Sequence, residues 1–333
     1  MDYLLYIDNQ NIFDPAVNLA IEEYALYHLN QDETYLLFYS MDPAIIVGKN
    51  QNTFEEINAE YVEKNHVYVV RRLSGGGAVY NDRGDLSFSF ITKKDRNHFN
   101  DYKKFTDPVV QALHELGVDA TLSGRNDILV GEKKISGNAQ FSTQNRMISH
   151  GTLMFDVNLD NVESALHVRP DKIASKGIKS VRSRVANIRD YLKKDMNIDE
   201  FKQALQRSIF AGFQEIPEYR LTDEDFEKIH KISEERYRNW NWTYGKSPEC
   251  NMVRSRRLPG GLIDVRLFVQ NGLIQECRIY GDFFGAKDVR ELELKITHCP
   301  YNRTELMETL TNVDISEYFS STSNYDFIDL LCL

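Results

Sequence analysis

No cysteine precedes Cys250, and the four present, Cys250, Cys277, Cys299 and Cys332, include no C-x-x-C pair. That excludes a disulfide framework over most of the chain and offers no zinc-finger spacing; idle thiols in a reducing cytoplasm are expected. Also missing is any run of about 18 apolar residues, so no membrane span is expected. The opening MDYLLYIDNQ is acidic where a signal peptide would be basic, and no targeting segment is expected. Positive charge is in deficit too: the formal net charge is −10. This argues against nucleic acid as a partner, since such binding rests on neutralising phosphates. Three common site motifs are absent: a Walker G-x-x-x-x-G-K-[ST], a dinucleotide G-x-G-x-x-G and a zinc-binding H-E-x-x-H. Any nucleotide site must belong to another architecture.

What is present is a 333-residue chain, 42% hydrophobic, with material for one large domain and a smaller one. Strand and helix patterns mix irregularly, which favours α+β. Strands are expected at 3–8, 34–40, 44–48, 67–72, 86–92, 118–122, 127–130, 133–140 and 147–156. Asp14-Pro15 is an N-cap followed by proline at the first helical position, opening a helix to about Leu29. Thr53 to Glu56 reads as a capping box for a helix to about Lys64. Asp107-Pro108 likewise predicts a helix start, with Val109, Ala112, Leu113 and Leu116 as its apolar stripe and Gly117 at its end. Further helices are expected over 198–213 and from Thr222 onward. TYGKSPEC, at 243–250, reads as a linker. Beyond it, residues 262–281 alternate about Asn271-Gly272 like a hairpin, and helical patterns follow near 286–296 and 303–311. The expected division is a domain over 1–245 and an accessory one over 250–333.

Four segments carry chemistry. RRLSGGGAVYNDRGD, residues 71–85, joins two arginines to three consecutive glycines. Such a run lets backbone N–H groups approach an anion closely. Successive strand residues face opposite sides, so Arg71 and Arg72 should not both reach one site unless the strand has already ended. In SGRNDILVGEKKISGNAQ, residues 123–140, Gly131-Glu132 suits a II′ turn. In simple register, Ile128, Val130 and Ile135 then share an apolar face with Lys133 at its rim. Lys134 is expected on the other face with Asp127, Ser136 and Asn138. In SHGTLMFD, residues 149–156, His150 sits before small and apolar strand residues. Finally, SKGIKSVRSRV, residues 175–185, gathers basic and hydroxyl residues around Gly177. The wider basic stretch from His167 to Lys194 suits either a solvated surface or one facing phosphates or an acidic partner.

Taken in order, Arg72-Leu73-Ser74-Gly75-Gly76-Gly77-Ala78-Val79-Tyr80, Gly124-Arg125-Asn126-Asp127, Lys134-Ile135-Ser136-Gly137-Asn138-Ala139, His150-Gly151-Thr152-Leu153 and Lys176-Gly177-Ile178 with Ser180 to Val185 resemble the successive motifs of lipoate–protein ligases. Leu73 departs from the small polar residue frequent there. The resemblance implies an α+β catalytic domain of the biotin/lipoyl-ligase kind, its mixed sheet flanked by helices, and a small α+β C-terminal accessory domain. It implies ATP, lipoate and Mg²⁺ as ligands and lipoyl-AMP as intermediate. Its acceptors would be lipoyl domains of 2-oxoacid dehydrogenase acyltransferase subunits and the glycine cleavage H protein. Arg72, Gly77, Ala78, Val79, Tyr80 and Lys134 would contact nucleotide and lipoate, with Lys134 catalytic. Ser74, Gly75, Gly76, Asn126, Asp127 and His150 would complete the binding set. Lys176, Gly177, Arg182 and Arg184 would grip the adenylate.

Three rivals share this pattern in part; one, a biotin–protein ligase, has a basic glycine–arginine loop that differs from RRLSGGG. A cysteine-dependent acyltransferase of the same superfamily needs a thiol nucleophile, and none precedes residue 250. A non-catalytic lipoate-binding module would not need Lys134.

Overall fold

Asp14 caps the first helix as its sequence suggests: its carboxylate accepts the N–H groups of Ala16 and Val17 at 2.9 and 3.2 Å. The helix runs Pro15–His28, with Pro15 where its missing N–H costs nothing. The computed structural model describes residues 4–94, 101–166, 184–244, 252–270 and 272–332. The linker residues 245–250 lie outside that set. The chain divides into two compact units, one of Met1–Ile46, Phe54–Arg71 and Val79–Thr243, the other of Val47–Thr53, Arg72–Ala78 and Tyr244–Leu333.

In the first unit the strands are β1 Leu4–Asp8, β2 Thr34–Tyr39, β3 Ala44–Val47 (its last residue in the second unit), β4 Tyr68–Arg71, β5 Val79–Asn81, β6 Asp85–Lys93, β7 Ala120–Ser123, β8 Asp127–Val130, β9 Lys133–Ser142, β10 Arg146–Met154 and β11 Glu218–Tyr219. Eight form one sheet in the order β11-β1-β2-β6-β10-β9-β8-β7, and β4-β3-β5 form a small second one. The large sheet is mixed: β1 lies parallel to β2 and β11, while β2–β6, β6–β10 and β10–β9 are antiparallel. Alternation along β2 sends Leu36 and Phe38 to one core and Tyr35, Leu37 and Tyr39 to another. Phe105, Val109 and Leu113, with Phe201 and Leu205, fill the first core. The helix Pro15–His28 covers the opposite face with Ile229. The expected α+β class is therefore the observed one.

Several local expectations fail for identifiable reasons. The helix at 103–115 starts a turn before Asp107-Pro108, so Pro108 lies inside it. Phe105 and Thr106 are buried, 1% exposed each, and their packing extends the helix upstream of the local stop–start signal. Thr53–Glu56 is a single turn, and a separate helix, Ala59–Lys64, begins at Asn58, whose side chain accepts the Tyr61 N–H. The helix expected over 198–213 ends at Ile209, and the one after Thr222 runs Asp223–Ile232 before a π turn at Ser233–Tyr237.

The second unit holds an antiparallel sheet of β12 Met252–Leu258, β13 Gly261–Gln270 and β14 Leu273–Gly281. Gln270 pairs with Leu273 across the expected turn, of which Asn271 lies outside the described residues. β12 pairs with β13 beside this hairpin and completes the three-stranded sheet. Helices Val289–Ile296, Arg303–Thr309 and Asn324–Cys332 pack Leu292, Ile296, Leu306, Phe327 and Leu331 onto that sheet.

Candidate active site

Lys134 occupies the second position of β9. Gly131, at φ +59°, makes the turn that feeds it. Val130 pairs with Lys133 and Leu129 with Lys134, as simple register requires. The register then slips, pairing Ile128 with Ser136 and Asp127 with Gly137. Ile135 is the extra residue of a β-bulge, a device that re-aims side chains. A segment some fifty residues downstream in sequence lies beside it. The Lys134 N–H donates to the Arg184 carbonyl at 2.7 Å, and its own carbonyl accepts the Ala186 N–H at 3.0 Å, so Val185 forms a parallel bridge with Lys134.

The bulge divides the polar residues expected beside Lys134. Asp127 stays with it, its Oδ1 2.8 Å from the ammonium nitrogen. Ser136 and Asn138 turn to the opposite face, which corrects the simple-register expectation. There the Asn138 amide donates to the Ser136 hydroxyl and the Asn126 carbonyl at 3.2 and 3.0 Å. Asn126 returns the bond to the Asn138 carbonyl at 2.6 Å. Gly137 shares the face of Lys134: a β-carbon on it would sit 2.8 Å from that nitrogen. Ala139 follows on this face and pairs with His150. His150 thus lies inside β10, on the same side of the sheet as Lys134.

His150 is not isolated. Its Nδ1 lies 2.8 Å from Glu22 Oε2, and the Tyr39 hydroxyl donates to Glu22 Oε1 at 2.9 Å. All three are buried, and burial together with the Glu22 charge pushes the Tyr39 phenol well above its usual range. Sequence reasoning missed Glu22. The signal was available: Glu22 falls on the helical row of Asn18, Leu19 and Leu26, and a carboxylate on a buried row demands a partner.

Tyr80 lies in β5, and its hydroxyl accepts from the Asn161 amide at 3.3 Å. Burial, with smaller contributions from neighbouring groups, pushes its phenol up to about 12. Val79 precedes it in the strand. Arg71 is buried and structural, donating to the Trp242 and Thr243 carbonyls at 2.8 and 2.7 Å. Arg189, from the basic stretch, is paired with Asp156 and Asp195. Lys176, Gly177 and Arg182 lie outside the described residues; Arg184 is described and supplies the carbonyl that bonds Lys134.

In the second unit, Arg72 takes the opposite course from Arg71. Its guanidinium donates to the Ser74 hydroxyl at 3.0 Å and to the carbonyls of Gly75 and Gly77 at 2.7 and 2.9 Å. The arginine thus shapes the glycine loop from within, leading on to Ala78. Gly76 stands at φ +93°, where a side chain is strained, and its missing β-carbon would meet the Phe284 ring at 2.8 Å. Gly75 leaves room for the Phe283 carbonyl, 2.5 Å from where a β-carbon would lie.

Among the described residues no group of three or more His, Cys, Asp or Glu side chains is placed to hold a metal, and no helix is long and apolar enough to cross a membrane.

Comparison with known proteins adds an independent line. Residues 14–210 match the family model of the lipoyl protein ligase A/B catalytic domain, and residues 247–331 that of the bacterial lipoate protein ligase C-terminus. The chain is 56% identical to the lipoate-protein ligase LplJ of Bacillus subtilis, covering 98% of this chain and all of the relative. It is 50% identical to lipoate–protein ligase 1 of Staphylococcus aureus, over 98% and 99%. A crystal structure of lipoate-protein ligase A bound with ATP superposes with a TM-score of 0.62 at 28% identity, covering 73% of this chain and 98% of that one. A bipartite archaeal lipoate protein ligase, studied with its E2 lipoyl domain from Thermoplasma acidophilum, superposes at 0.63 and 30% identity, over 75% and 98%.

Proposed function

The chain belongs to the lipoate–protein ligase family, and from that premise we propose that it activates lipoate with ATP and passes the lipoyl group to a lysine of another protein. The observation that carries this reading is the bulge-directed placement of Lys134, its ammonium anchored by Asp127 at 2.8 Å on one side of the sheet. A carboxylate is a poor acyl donor because its leaving group would be oxide. In the first step a lipoate carboxylate oxygen attacks the α-phosphorus of ATP, the bond to the bridging β-oxygen breaks, and pyrophosphate departs. Two anions must meet, so the protein's task is positioning and charge neutralisation. A compact ammonium suits it. Arg72 is proposed to hold the glycine loop, Gly75 to Tyr80, in shape for the nucleotide and lipoate, with Ser74 bonded to its guanidinium. Asn126 and His150 are proposed to complete the set, and Lys176, Gly177, Arg182 and Arg184 to face the adenylate. Mg²⁺ is proposed only as the companion of the nucleotide, taking phosphate oxygens and waters as most of its ligands.

In the second step the acceptor amine attacks the acyl carbon of lipoyl-AMP, AMP leaves with the acyl–oxygen bond pair, and the ammonium proton passes to solvent. The proposed acceptors are lipoyl domains of 2-oxoacid dehydrogenase acyltransferase subunits and the glycine cleavage H protein, in the cytoplasm. The study of an archaeal relative with its E2 lipoyl domain supports the acceptor class. Residues 1–245 are proposed as the catalytic part and 250–333 as the accessory part. The two family matches, ending at 210 and starting at 247, support that division. Cys277 and Cys299 are buried and no cysteine precedes residue 250, which disfavours a thiol-dependent acyltransferase. Exchange of labelled pyrophosphate into ATP tests the reading: exchange must require lipoate, and its absence at saturating lipoate would sink the adenylation step.

A further inference from the structure

The turn after β3, Gly48-Lys49-Asn50-Gln51-Asn52, has no place in the proposed ligand set, yet it lies along the glycine loop within the second unit. Two backbone hydrogen bonds fasten them together: the Arg72 N–H donates to the Val47 carbonyl at 3.0 Å and the Lys49 N–H to the Ser74 carbonyl at 2.8 Å. Between these bonds the two segments come into contact at Gly48. A β-carbon on Gly48 would fall well inside contact distance of the Gly76 carbonyl oxygen and 3.2 Å from Gln51 Oε1. The same Oε1 accepts the Gly48 N–H at 2.9 Å. Gly48 is not among the residues at positive φ, so glycine is needed here for close approach and not for an unusual backbone.

The far side of the turn is anchored as well. The Asn50 carbonyl accepts the Gly281 N–H at 2.7 Å, and Lys49 Nζ lies 2.9 Å from Asp288 Oδ2. Gln51 and Thr53 are buried at 2% and 0% exposure. The glycine loop itself leans on the next segment, with the Gly76 N–H donating to the Phe283 carbonyl at 3.4 Å. The turn is thus held on one side by Gly281 and Asp288 and fixes the loop on the other.

From this geometry we infer that Gly48 is a positioning residue: it sets the glycine loop in its ligand-ready shape without touching a ligand. The inference rests on the proposed reading in taking ATP and lipoate as the ligands of that loop. A methyl group at 48 drives the Gly76 carbonyl away, and the loop must be restored before it can bind. Only the competent fraction then binds, so apparent affinity falls in proportion to that fraction while turnover of the filled site is preserved.

The test is Gly48→Ala in the full chain, assayed by lipoate-dependent ATP–pyrophosphate exchange. The Michaelis constant for ATP should rise about tenfold or more, with kcat within about threefold, as a shifted population of competent loops requires. Gly212→Ala is the control, since Gly212 has no atom within 4 Å of an added β-carbon. A substitution that merely loosened the fold would lower Tm and active fraction and leave the Michaelis constant alone. Should Gly48→Ala not fold, Lys49→Met, which removes the anchor to Asp288, should raise the same constant about threefold by the same population argument. An unchanged constant in the variant that folds overturns the inference. If the unaltered protein shows no lipoate-dependent exchange, the ligase reading fails by itself. The positioning claim is then read from amide hydrogen exchange at Lys49 and Arg72, which Gly48→Ala must accelerate.

Discussion

Replacing Lys134 with alanine separates charge neutralisation from folding. In the folded protein the substitution removes one ion pair, and the side chains of Lys134 and Asp127 are 35% and 32% exposed. Pairs this open to solvent contribute about 0–1 kcal/mol, which for a domain of this size moves Tm by roughly 2–4 °C at most. The backbone bonds of Lys134 to Arg184 and Ala186 survive, so the bulge should persist. The catalytic loss is larger. An ammonium about 4 Å from a reacting oxygen contributes on the order of 4 kcal/mol at an effective dielectric of 20, and Asp127 already offsets part of that. Loss of one such electrostatic group costs roughly a hundred- to a thousandfold in rate. Asp127 adds a second effect, because without its partner the carboxylate repels both incoming anions. Lys134→Ala with Asp127→Asn should therefore recover part of the single variant's loss. Lipoate-dependent pyrophosphate exchange measures this, alongside circular dichroism and melting. Lys133→Ala, at the rim of the other face, should stay near the starting rate. Equal losses at 133 and 134, or a double variant no better than Lys134→Ala, would refute the assignment.

Gly137→Ala should also slow exchange, up to roughly a hundredfold for a displacement near 1 Å, because its methyl group would occupy space 2.8 Å from the ammonium; a wild-type rate would show that Lys134 tolerates the shift. Asp85→Asn should raise Tm at pH 8 and lose that advantage below about pH 4, near the carboxyl's unfolded value. Burial first, and then Asp82, hold the Asp85 carboxyl well above the usual range. The folded state therefore keeps its proton while the unfolded state releases it, and wild-type stability falls as pH rises above the unfolded value. Asparagine abolishes that titration and can still accept the Asn81 amide bond, which is 2.9 Å in the wild type. Melting curves across that range check the sign.

The parts legible in the sequence are those decided within a few residues. Asp14-Pro15 and the Thr222 cap involve only neighbouring N–H groups. Alternation of apolar residues likewise placed Ile128, Val130 and Ile135 in the core. Pro108 misled because its local signal suits a helix start, while packing around Phe105 determines where the helix begins. The bulge at Ile135 was out of reach, since it lies beside a bridge from Lys134 to Val185, some fifty residues away in sequence. The site residues were found as chemical types, but their grouping was not. Ser136 and Asn138 belong to the other face, and Glu22, joined to His150, comes from a helix 128 residues earlier in sequence. The glycine loop was recognised as a close-approach element, but its packing on Phe283 and Phe284 depends on contacts more than 200 residues away.

The central claim is transfer of a lipoyl group to a protein lysine at the expense of ATP. The most direct measurement is the intact mass of a purified lipoyl domain after incubation with this protein, lipoate and MgATP. The account predicts a gain of one lipoyl group, lost when ATP is omitted or when the acceptor lysine is replaced by arginine. An unmodified domain under conditions where pyrophosphate exchange proceeds would contradict it, as would modification that needs no nucleotide.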